Sequence, residues 1–394
     1  MADNKDKKVL NVPHLRFPEF SGEWEKCKLG DIATGFDYGM NAAAKPFDGE
    51  NKYIRITDID EASSTYIDKD IVSPDGTLTE NYLVNDRDIL LARTGASTGK
   101  SYLYRKSDGK LYYAGFLIRA NVTKHNPYFV FSQLHTHRYW SWVSIMSARS
   151  GQPGINSQEY SSFPVYVTSL REEEKISALL SLIDERIATQ NKIIEDLKLL
   201  KSAITDRLYS EVRGTAYAYR QLFDVINERN KDNIYHNVLS ASQELGMIDR
   251  SDINIDIKFE QASIISYKIV RKGDYVVHLR SFQGGFAFSE KTGICSPAYT
   301  ILRPKDNLMY GYLSHYFTSK QFVKSLNLVT YGIRDGRSIN VDEWLDMKVV
   351  IPEKQKQLHI LTTINSIEFK LRYEQKIYTR LIKQKSYLLR QMFI

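Results

Sequence analysis

Arginine, glutamine and asparagine occur beside glycine in two segments of this chain, one in each half. Residues 149–156 read RSGQPGIN, and residues 334–340 read RDGRSIN. Arginine forms two parallel hydrogen bonds with guanine, and glutamine or asparagine forms them with adenine, so these side chains suit contacts with base edges. The alternative is structural, with the Ile-Asn pair opening a strand that returns to the core. The candidate DNA contacts are Arg149, Gln152, Asn156, Arg334 and Arg337.

A second pair of candidate segments follows an apolar strand in each half. Residues 95–101 read GASTGKS, with three residues between the glycines where a phosphate-binding P-loop needs four, and the matching residues 280–285, RSFQGG, have no Lys-Ser pair. We therefore favour a tight polar turn that presents backbone amides and cationic side chains to a phosphate or a base edge. A purely structural turn is the alternative. The candidate residues are Arg93, Thr94, Lys100, Arg280, Ser281 and Gln283.

Other motifs do not predict catalysis or metal binding. The sequence NPY at residues 126–128 is similar to the NPPY motif of adenine methyltransferases, but an Asn cap before a Pro at the first helical position accounts for it. His135 and His137 have no other metal-type ligand near them, which favours packing or surface roles. Cys27 and Cys295 lie in different halves, which argues against a disulfide or a zinc site. We expect no catalytic residue, metal or cofactor in this chain.

The elements that must position the candidate residues are short strands and a few helices. Runs of β-branched and aromatic residues, broken by Gly, Asn, Asp and Ser, predict strands near residues 53–56, 89–92, 111–118, 269–277 and 299–302. Helices are predicted at residues 127–146 and 308–326. The fold class is therefore α+β, a compact mixed sheet with a few helices that occurs twice. Recognition residues are expected in the long polar loops at residues 57–85 and 227–263.

The same order of elements runs through both halves of the chain. Each half has a strand-like opening, an apolar strand that ends near an arginine, an Ile-Asn segment and a long charged helix. Such a long period indicates two homologous globular units, each followed by its own helix, rather than a solenoid. The matched residues, at offsets of 193, 186, 184 and 181, are Leu29 with Leu222, Asp88 with Asp274, Asn156 with Asn340, and Asp184 with Asn365.

The two long helices each carry a narrow apolar seam at alternating spacings of three and four. This heptad pattern is typical of a coiled-coil partner, and the other helix of the same chain is the partner that we favour over a helix of another protein. Lys201 opposite Glu374, or Gln190 opposite a polar seam residue, would set the register. The seam residues are Ile176, Leu180, Ile183, Ile187, Gln190, Ile194, Leu197, Lys201, Ile204 and Leu208, then Ile364, Ile367, Leu371, Glu374, Tyr378, Leu381, Lys385, Leu388 and Met392.

Charge and hydropathy limit the class of protein. The formal net charge of the 394 residues is +7, and residues 353–394 hold nine cationic and three anionic side chains, whereas residues 1–170 hold 20 of each. Opposite net charges on the two long helices favour their pairing. No apolar run approaches the roughly 18 residues of a membrane helix, and the polar N-terminus does not indicate secretion. We expect a cytoplasmic protein without a membrane partner.

Three segments and the order of elements resemble the specificity subunit of a type I restriction-modification system. They are LRFPEFSGEWEKCKLGDIA at residues 15–33, NDRDILLARTGASTGK at residues 85–100, and SGQPGINSQEYSSFPVYVTSLREEEKISALLSLIDERI at residues 150–187. No single motif is decisive. Their combination with the twofold order of recognition domain and helix is specific to that family.

The resemblance implies a non-catalytic subunit that recognises double-stranded DNA with a bipartite motif. Two target recognition domains, at residues 1–168 and 213–352, would each read one half of that motif. Conserved helical regions, at residues 169–212 and 353–394, would form an antiparallel coiled coil that fixes the gap. The implied partners are two methyltransferase subunits, which hold S-adenosylmethionine, and restriction subunits that cleave.

Two other function classes stay open at this point. One is a nucleotide-binding enzyme or nuclease that uses the P-loop-like turn at residues 95–101. The other is a two-armed adaptor whose partners are proteins rather than DNA.

Overall fold

The computed structural model describes residues 10–148, 153–242, 245–252, 261–278, 285–331 and 338–394. The chain divides into two compact units. The first unit contains residues 1–192 and 376–394, and the second contains residues 193–375. Each long helix therefore contributes residues to both units. Among the described residues, none of the helices has the length and apolar character needed to cross a membrane.

The recognition part of the first unit is a mixed arrangement of strands and helices. Its strands are β1 (Glu25–Lys28), β2 (Ala33–Tyr38), β3 (Ala43–Pro46), β4 (Lys52–Ile54), β5 (Val72–Asp75), β6 (Asp88–Ala92), β7 (Ser101–Leu103), β8 (Leu111–Tyr113), β9 (Leu117–Val122) and β10 (Pro164–Val167). Its helices are α1 (Leu29–Ile32), α2 (Pro127–Gln133), α3 (His137–Ser147) and α4 (Ser157–Ser161), followed by the long helix α5 (Leu170–Ser210).

The central sheet of the first unit is antiparallel with the order β2-β9-β6-β7. Strand β6 reads DILLA and is buried along its whole length. Successive side chains of a strand point to opposite faces, so Ile89 and Leu91 pack against helices α2, α3 and α4. Leu90 and Ala92 face a second cluster formed with strands β4 and β8. The sheet is therefore covered on both faces, and its functional surface is left to its edges and loops.

The second unit repeats this plan with different loops. Its strands are β11 (Thr215–Ala218), β12 (Phe223–Ile226), β13 (Leu239–Ser242), β14 (Gly246–Asp249), β15 (Lys268–Val270), β16 (Tyr275–Val277), β17 (Phe286–Phe288), β18 (Gly293–Cys295), β19 (Thr300–Pro304), β20 (Thr330–Tyr331), β21 (Ser338–Ile339) and β22 (Lys348–Ile351). Its helices are α6 (Tyr219–Leu222), α7 (Tyr312–Tyr316), α8 (Lys320–Ser325) and α9 (Val341–Asp346), followed by the long helix α10 (Lys354–Met392).

The central sheets of the two units have equivalent strand orders, β2-β9-β6-β7 and β12-β19-β16-β17. The flanking pairs, β1 with β10 and β11 with β22, are also equivalent. Equivalent buried carboxylates lie at the start of the central strands. Asp88 accepts a hydrogen bond from the Asn85 amide, and Asp274 accepts one from the Arg271 amide, each 2.7–2.8 Å long. The predicted repeat and α+β fold class are therefore confirmed.

Two of the four predicted residue matches need correction. Residues 29–32, predicted as strand-like, form a helical turn, and the equivalent turn of the second copy is Tyr219–Leu222. The predicted opening of the second copy, residues 222–225, is a strand from Phe223 onward. Leu29 therefore corresponds to Tyr219, because Leu222 ends its turn as Ile32 does. Sequence matching had aligned two leucines that occupy opposite ends of the same turn.

The second correction concerns the long helices. Their buried residues Ile176 and Leu180 correspond to Ile360 and Ile364, at the same offset of 184 as the strands β10 and β22 that precede them. Asp184 is therefore equivalent to Glu368 rather than to Asn365. Each of these carboxylates forms an ion pair with a lysine of the other long helix, Lys385 and Lys201 respectively.

The predicted helices and strands exist, but several are shorter than the apolar runs that predicted them. Residues 127–146 form two helices, because the Thr136 hydroxyl caps a new helix by accepting from the Tyr139 amide. Ser319 interrupts the second predicted helix in the same way, by accepting from the Phe322 amide. Residues 111–118 were predicted as one strand but contain β8 and the start of β9. Residues 269–277 were also predicted as one strand but contain the end of β15 and all of β16.

Helices α5 and α10 pair antiparallel within each unit. In the first unit, Ile176 and Leu180 pack with Leu389 and Met392, whereas Ile183 and Ile187 pack with Leu381. In the second unit, Lys201 pairs with Glu368, and Tyr209 shares a cluster with Ile360 and Ile364. No predicted seam residue is exposed. The predicted antiparallel coiled coil is confirmed.

The predicted pairing of Lys201 with Glu374 is wrong. Lys201 pairs with Glu368, and Glu374 accepts from Lys370 one turn earlier on its own helix. A heptad pattern indicates which face of a helix is buried, but it does not give the register against the partner.

Candidate nucleic-acid interface

One edge of the central sheet collects the candidate residues of the first unit. Strands β2 and β6 end at this edge, with Tyr38 and Ala92, and strands β7 and β9 begin there, with Ser101 and Leu117. Arg93, Thr94 and Lys100 lie in the connection between β6 and β7. The antiparallel order of the sheet therefore brings together loops that are distant in sequence.

The connection between β6 and β7 is a tight turn. Residues 95–97 form one 3-10 turn, the Thr98 hydroxyl donates to the Gly95 carbonyl at 2.8 Å, and the Gly99 amide donates to the Ala92 carbonyl at 3.0 Å. Gly99 has a φ of +93°, and a Cβ there would lie 2.8 Å from the Val143 side chain, so glycine is required. The turn leads into a strand. A P-loop leads into a helix, so this geometry gives the nucleotide-binding alternative no support.

Two buried tyrosines fix the position of this turn. The Tyr160 hydroxyl donates to the Ala92 carbonyl at 2.6 Å and accepts from the Gly99 amide at 3.2 Å. The Tyr139 hydroxyl donates to the Gly99 carbonyl at 2.8 Å. Burial raises the pKa of both phenols well above the usual value, so both remain neutral hydrogen-bonding groups. Helices α3 and α4 thus hold the turn rigidly against the sheet.

The second candidate segment of this unit is joined to the same turn. The Gly95 amide donates to the Pro153 carbonyl at 3.0 Å, and the Ile155 amide donates to the Arg93 carbonyl at 2.9 Å. Thr94 and Gly154 form an antiparallel bridge. The structure therefore brings Arg93 and Thr94 next to the segment that contains Asn156.

Arg93 lies over an aromatic ring that sequence reasoning did not identify. Its guanidinium carbon is 4.5 Å from the ring centre of Tyr38, a residue that is 40% exposed. The Ser157 amide donates to the Tyr38 hydroxyl at 3.3 Å. Hydrogen bonding from Ser157 lowers the pKa of Tyr38, and the nearby Arg93 charge acts in the same direction. Tyr38 ends a strand two positions away in the sheet, so only the strand order reveals it.

Lys100 is turned toward an acidic loop. Its ammonium group lies 3.5 Å from the Glu61 carboxylate, which is almost fully exposed. Asp60, the preceding residue, accepts from the Ser63 amide and hydroxyl and thereby shapes this loop. Exposed ion pairs of this kind are weak, so a phosphate group can replace Glu61 as the partner of Lys100.

Asn156 caps a helix, which corrects the expectation that the Ile-Asn pair opens a strand. Its side-chain oxygen accepts from the Glu159 amide at 2.9 Å, and the Glu159 carboxylate accepts from the Asn156 amide at 2.8 Å. This reciprocal arrangement is a capping box. Asn340 caps helix α9 by accepting from the Glu343 amide, whereas its own amide donates to the Val329 carbonyl. An Asn cap at this position accounts for the occurrence of Ile-Asn in both copies.

In the second unit, described residues pair on either side of the two matching segments. The His278 amide donates to the Gly285 carbonyl at 2.8 Å, where β16 ends and β17 begins. Strands β20 and β21 pair antiparallel and flank residues 332–337. The candidates in these connections, and two candidates in the first unit, lie outside the described residues. They are Arg149, Gln152, Arg280, Ser281, Gln283, Arg334 and Arg337.

The structure also gives structural roles to the NPY segment and to His135, for which no catalysis or metal binding was predicted. Asn126 caps helix α2 by accepting from the Tyr128 and Phe129 amides, so the NPY segment opens a helix. His135 is hydrogen-bonded to the Phe131 carbonyl and to the Ser64 hydroxyl, and burial lowers its pKa to about 4. In the part of the chain that the structure describes, no cluster of His, Cys, Asp and Glu is arranged to hold a metal ion.

Known proteins are similar to this chain in sequence. Residues 21–199 match the family model described as the type I restriction modification DNA specificity domain. The specificity subunit of the type I restriction enzyme MjaVIII from Methanocaldococcus jannaschii is 24% identical over 208 residues, which are 52% of this chain and 46% of the relative. The match thus spans about half the length of that curated relative.

Solved structures share the fold over nearly the whole chain. The type I restriction-modification S subunit from M. genitalium is 13% identical, has a TM-score of 0.59, and is matched over 97% of this chain and 99% of its own. A chain from a study of complex assembly and conformational transition of the type I R-M system is 14% identical, has a TM-score of 0.55, and is matched over 94% and 97%. The family model and the curated relative agree with the resemblance to a type I specificity subunit, and these solved structures share its fold.

Proposed function

We propose that this chain is the DNA-sequence specificity subunit of a type I restriction-modification system. Each unit reads one half of a bipartite target in double-stranded DNA, and the chain itself does not catalyse a reaction. Methylation and restriction are carried out by partner subunits that assemble on it. The proposal places the protein in the cytoplasm, with the DNA that it reads.

The observation that carries the proposal is a shared sheet edge with different loop sequences. Both units have the same central sheet order and an Asn-capped helix that precedes the equivalent outer strand. The sequences between the equivalent strands differ, since RTGASTGK at residues 93–100 has LRSFQGG at residues 279–285 as its counterpart. A common scaffold with different readers fits two half-sites of different sequence.

The candidate residues divide by chemistry into positioning and reading groups. Lys100 and the amides of the Gly95–Ser97 turn suit phosphate contacts, which orient the protein on the duplex. Arg93 suits guanine. Arg149, Gln152, Arg280, Gln283, Arg334 and Arg337 suit base edges in the same way, with Thr94, Asn156 and Ser281 as neighbouring polar contacts. Phosphate contacts set affinity, whereas base contacts set sequence.

The proposed partners are the subunits that would carry out methylation and cleavage. Two methyltransferase subunits bring S-adenosylmethionine, and restriction subunits bring cleavage. Because cationic and anionic side chains balance in residues 1–170, we expect the isolated chain to bind DNA weakly. Much of the phosphate contact in the assembled complex is then supplied by the partners.

A binding experiment tests the proposal. The complex of this chain with its methyltransferase subunits is titrated with a duplex that carries its methylated motif and with a scrambled duplex of the same composition, at several salt concentrations. We expect a preference of at least 1,000-fold for the motif at physiological salt, the range of specific DNA-binding proteins. Equal affinity for both duplexes would contradict the proposal.

A further inference from the structure

An exposed phenylalanine lies at the same sheet edge as Arg93 and Tyr38. Phe116 is 62% exposed, whereas Leu117, the next residue, is completely buried. Phe116 is absent from the hydrophobic clusters of the first unit. A single exposed phenylalanine is common on protein surfaces, so its role depends on what lies beside it.

The backbone of Phe116 is fixed on both sides. The Arg93 amide donates to the Phe116 carbonyl at 3.1 Å, which continues the β6–β9 pairing and places the two residues across from each other. The Gly115 amide donates to the Met40 carbonyl at 2.8 Å, and the Leu117 amide donates to the Ala114 carbonyl at 2.9 Å. The phenyl ring is therefore presented from a rigid position.

The neighbours of Phe116 make this surface suitable for a base edge. Arg93 is cationic and rests on the ring of Tyr38, so the edge combines a guanidinium group with two exposed aromatic rings. In the DNA major groove, the apolar feature of a base pair is the 5-methyl group of thymine, and phenylalanine is one of the side chains that contacts it. Arginine beside it reads guanine.

We propose that Phe116 is a specificity-determining residue that contacts a thymine methyl group in the half-site read by the first unit. This inference rests on the proposed function, and it adds a residue and a base feature to it. Phe116 discriminates thymine from cytosine at one position, while Arg93 reads a neighbouring base pair.

The test uses the complex with its methyltransferase subunits and duplexes in which each thymine of the motif is replaced, one at a time, by uracil. Uracil removes only the methyl group. With the wild-type complex, we expect one uracil position to weaken binding about fourfold, the factor for one buried methyl group. In Phe116→Ala, the same uracil should cause no further loss. Phe116→Leu, which keeps an apolar contact, should retain most of the penalty.

Each other outcome overturns the inference. A flat uracil scan in the wild-type complex means that no methyl group is read. A uracil penalty that persists in Phe116→Ala assigns the methyl contact to another residue, and failure of this variant to assemble assigns Phe116 to a protein contact. Phe47→Ala, another exposed phenylalanine of this unit, is the matched control and should bind as the wild type does. If the wild-type complex does not prefer the motif at all, the proposed function itself fails.

Discussion

At the scale of single residues, Arg93 shows how an exposed side chain is oriented. Its backbone is held by hydrogen bonds to Phe116 and Ile155, and its guanidinium group rests on Tyr38. An arginine stacked in this way loses less rotamer freedom when it binds a planar partner. Sequence reasoning identified Arg93 and Thr94 from the strand that precedes them. It missed Tyr38 and Phe116, because their proximity depends on strand order.

A conservative substitution tests the reading role of Arg93. Lysine keeps the charge but cannot form two parallel hydrogen bonds with guanine, so Arg93→Lys should weaken binding of the motif by about 1–3 kcal/mol and relax one base position. Binding to scrambled DNA should be unchanged. Sequencing of methylated bases measures the change in the motif, and a binding titration of the assembled complex measures the change in affinity. Arg105→Lys, an exposed residue at the opposite sheet edge, is the control and should leave both unchanged.

The half-buried His135 should make the first unit sensitive to acid. Its neutral ring is held by Phe131 and Ser64, and burial lowers its pKa to about 4, with Lys385 acting in the same direction and Asp184 opposing it. The unfolded chain binds a proton near pH 6.5, so stability is fully present above that value and falls as pH decreases toward 4, by up to about 3 kcal/mol.

Urea unfolding between pH 7 and pH 5 measures this effect. His135→Asn removes the titrating group and keeps a donor near the Phe131 carbonyl. The variant should be less stable at pH 7 but should lose less free energy of unfolding as pH falls. Parallel pH profiles for the two proteins would show that His135 does not contribute to the acid sensitivity.

At the scale of elements, an Asn-capped helix leads each copy of the repeat back to its outer strand pair. Asn156 and Asn340 were both identified from sequence, as possible base contacts or as strand openings, and the structure assigns both to helix caps. Asparagine is a common residue both at helix caps and in contacts with adenine. Sequence pattern alone does not separate the two roles.

Removal of the first cap should cost stability. Asn156→Ala deprives the Glu159 amide of its acceptor, and we expect a loss of about 1 kcal/mol in the free energy of unfolding. Asn156→Asp retains an acceptor at the same position and should stay close to the wild type. Chemical denaturation measures both. An alanine variant as stable as the wild type would mean that the cap contributes nothing.

The long helices illustrate what a periodic pattern can predict. The heptad spacing identified the buried face of both helices correctly, because seam residues recur at the helical period. It did not predict that Lys201 meets Glu368, since heptad spacing identifies the buried face but not the register against the partner. The breaks at Thr136 and Ser319 were also missed, although Ser and Thr are common caps, because the apolar pattern runs through them.

A matched insertion tests whether the helix pair sets the gap of the recognised sequence. Seven residues are inserted after Ser202 and seven after Ser366, which preserves the heptad pattern on both helices and lengthens them by roughly 10 Å. We expect the unspecified gap between the two half-sites to grow, with both half-sites unchanged. Sequencing of methylated bases measures the gap. An unchanged gap in a folded, active complex would exclude the helices as the spacer.

At the scale of the whole molecule, the duplication was the strongest signal in the sequence, and the structure made it more specific. The shared features are the central sheet, the buried Asp88 and Asp274, the Asn-capped helices and the ion pairs of the long helices. The features that differ are the sequences between the equivalent strands. This division is what a protein needs if it keeps one scaffold and reads two sequences.

The most direct test of this account maps methylated bases across a genome. A strain that carries the methyltransferase subunits is compared without this chain, with it, and with a version in which residues 1–168 come from another specificity subunit. We predict a bipartite methylated motif that appears only with the chain, and a swap that changes one half and preserves the other. A methylome that is the same in all three strains would contradict the central claim that this chain selects the DNA sequence.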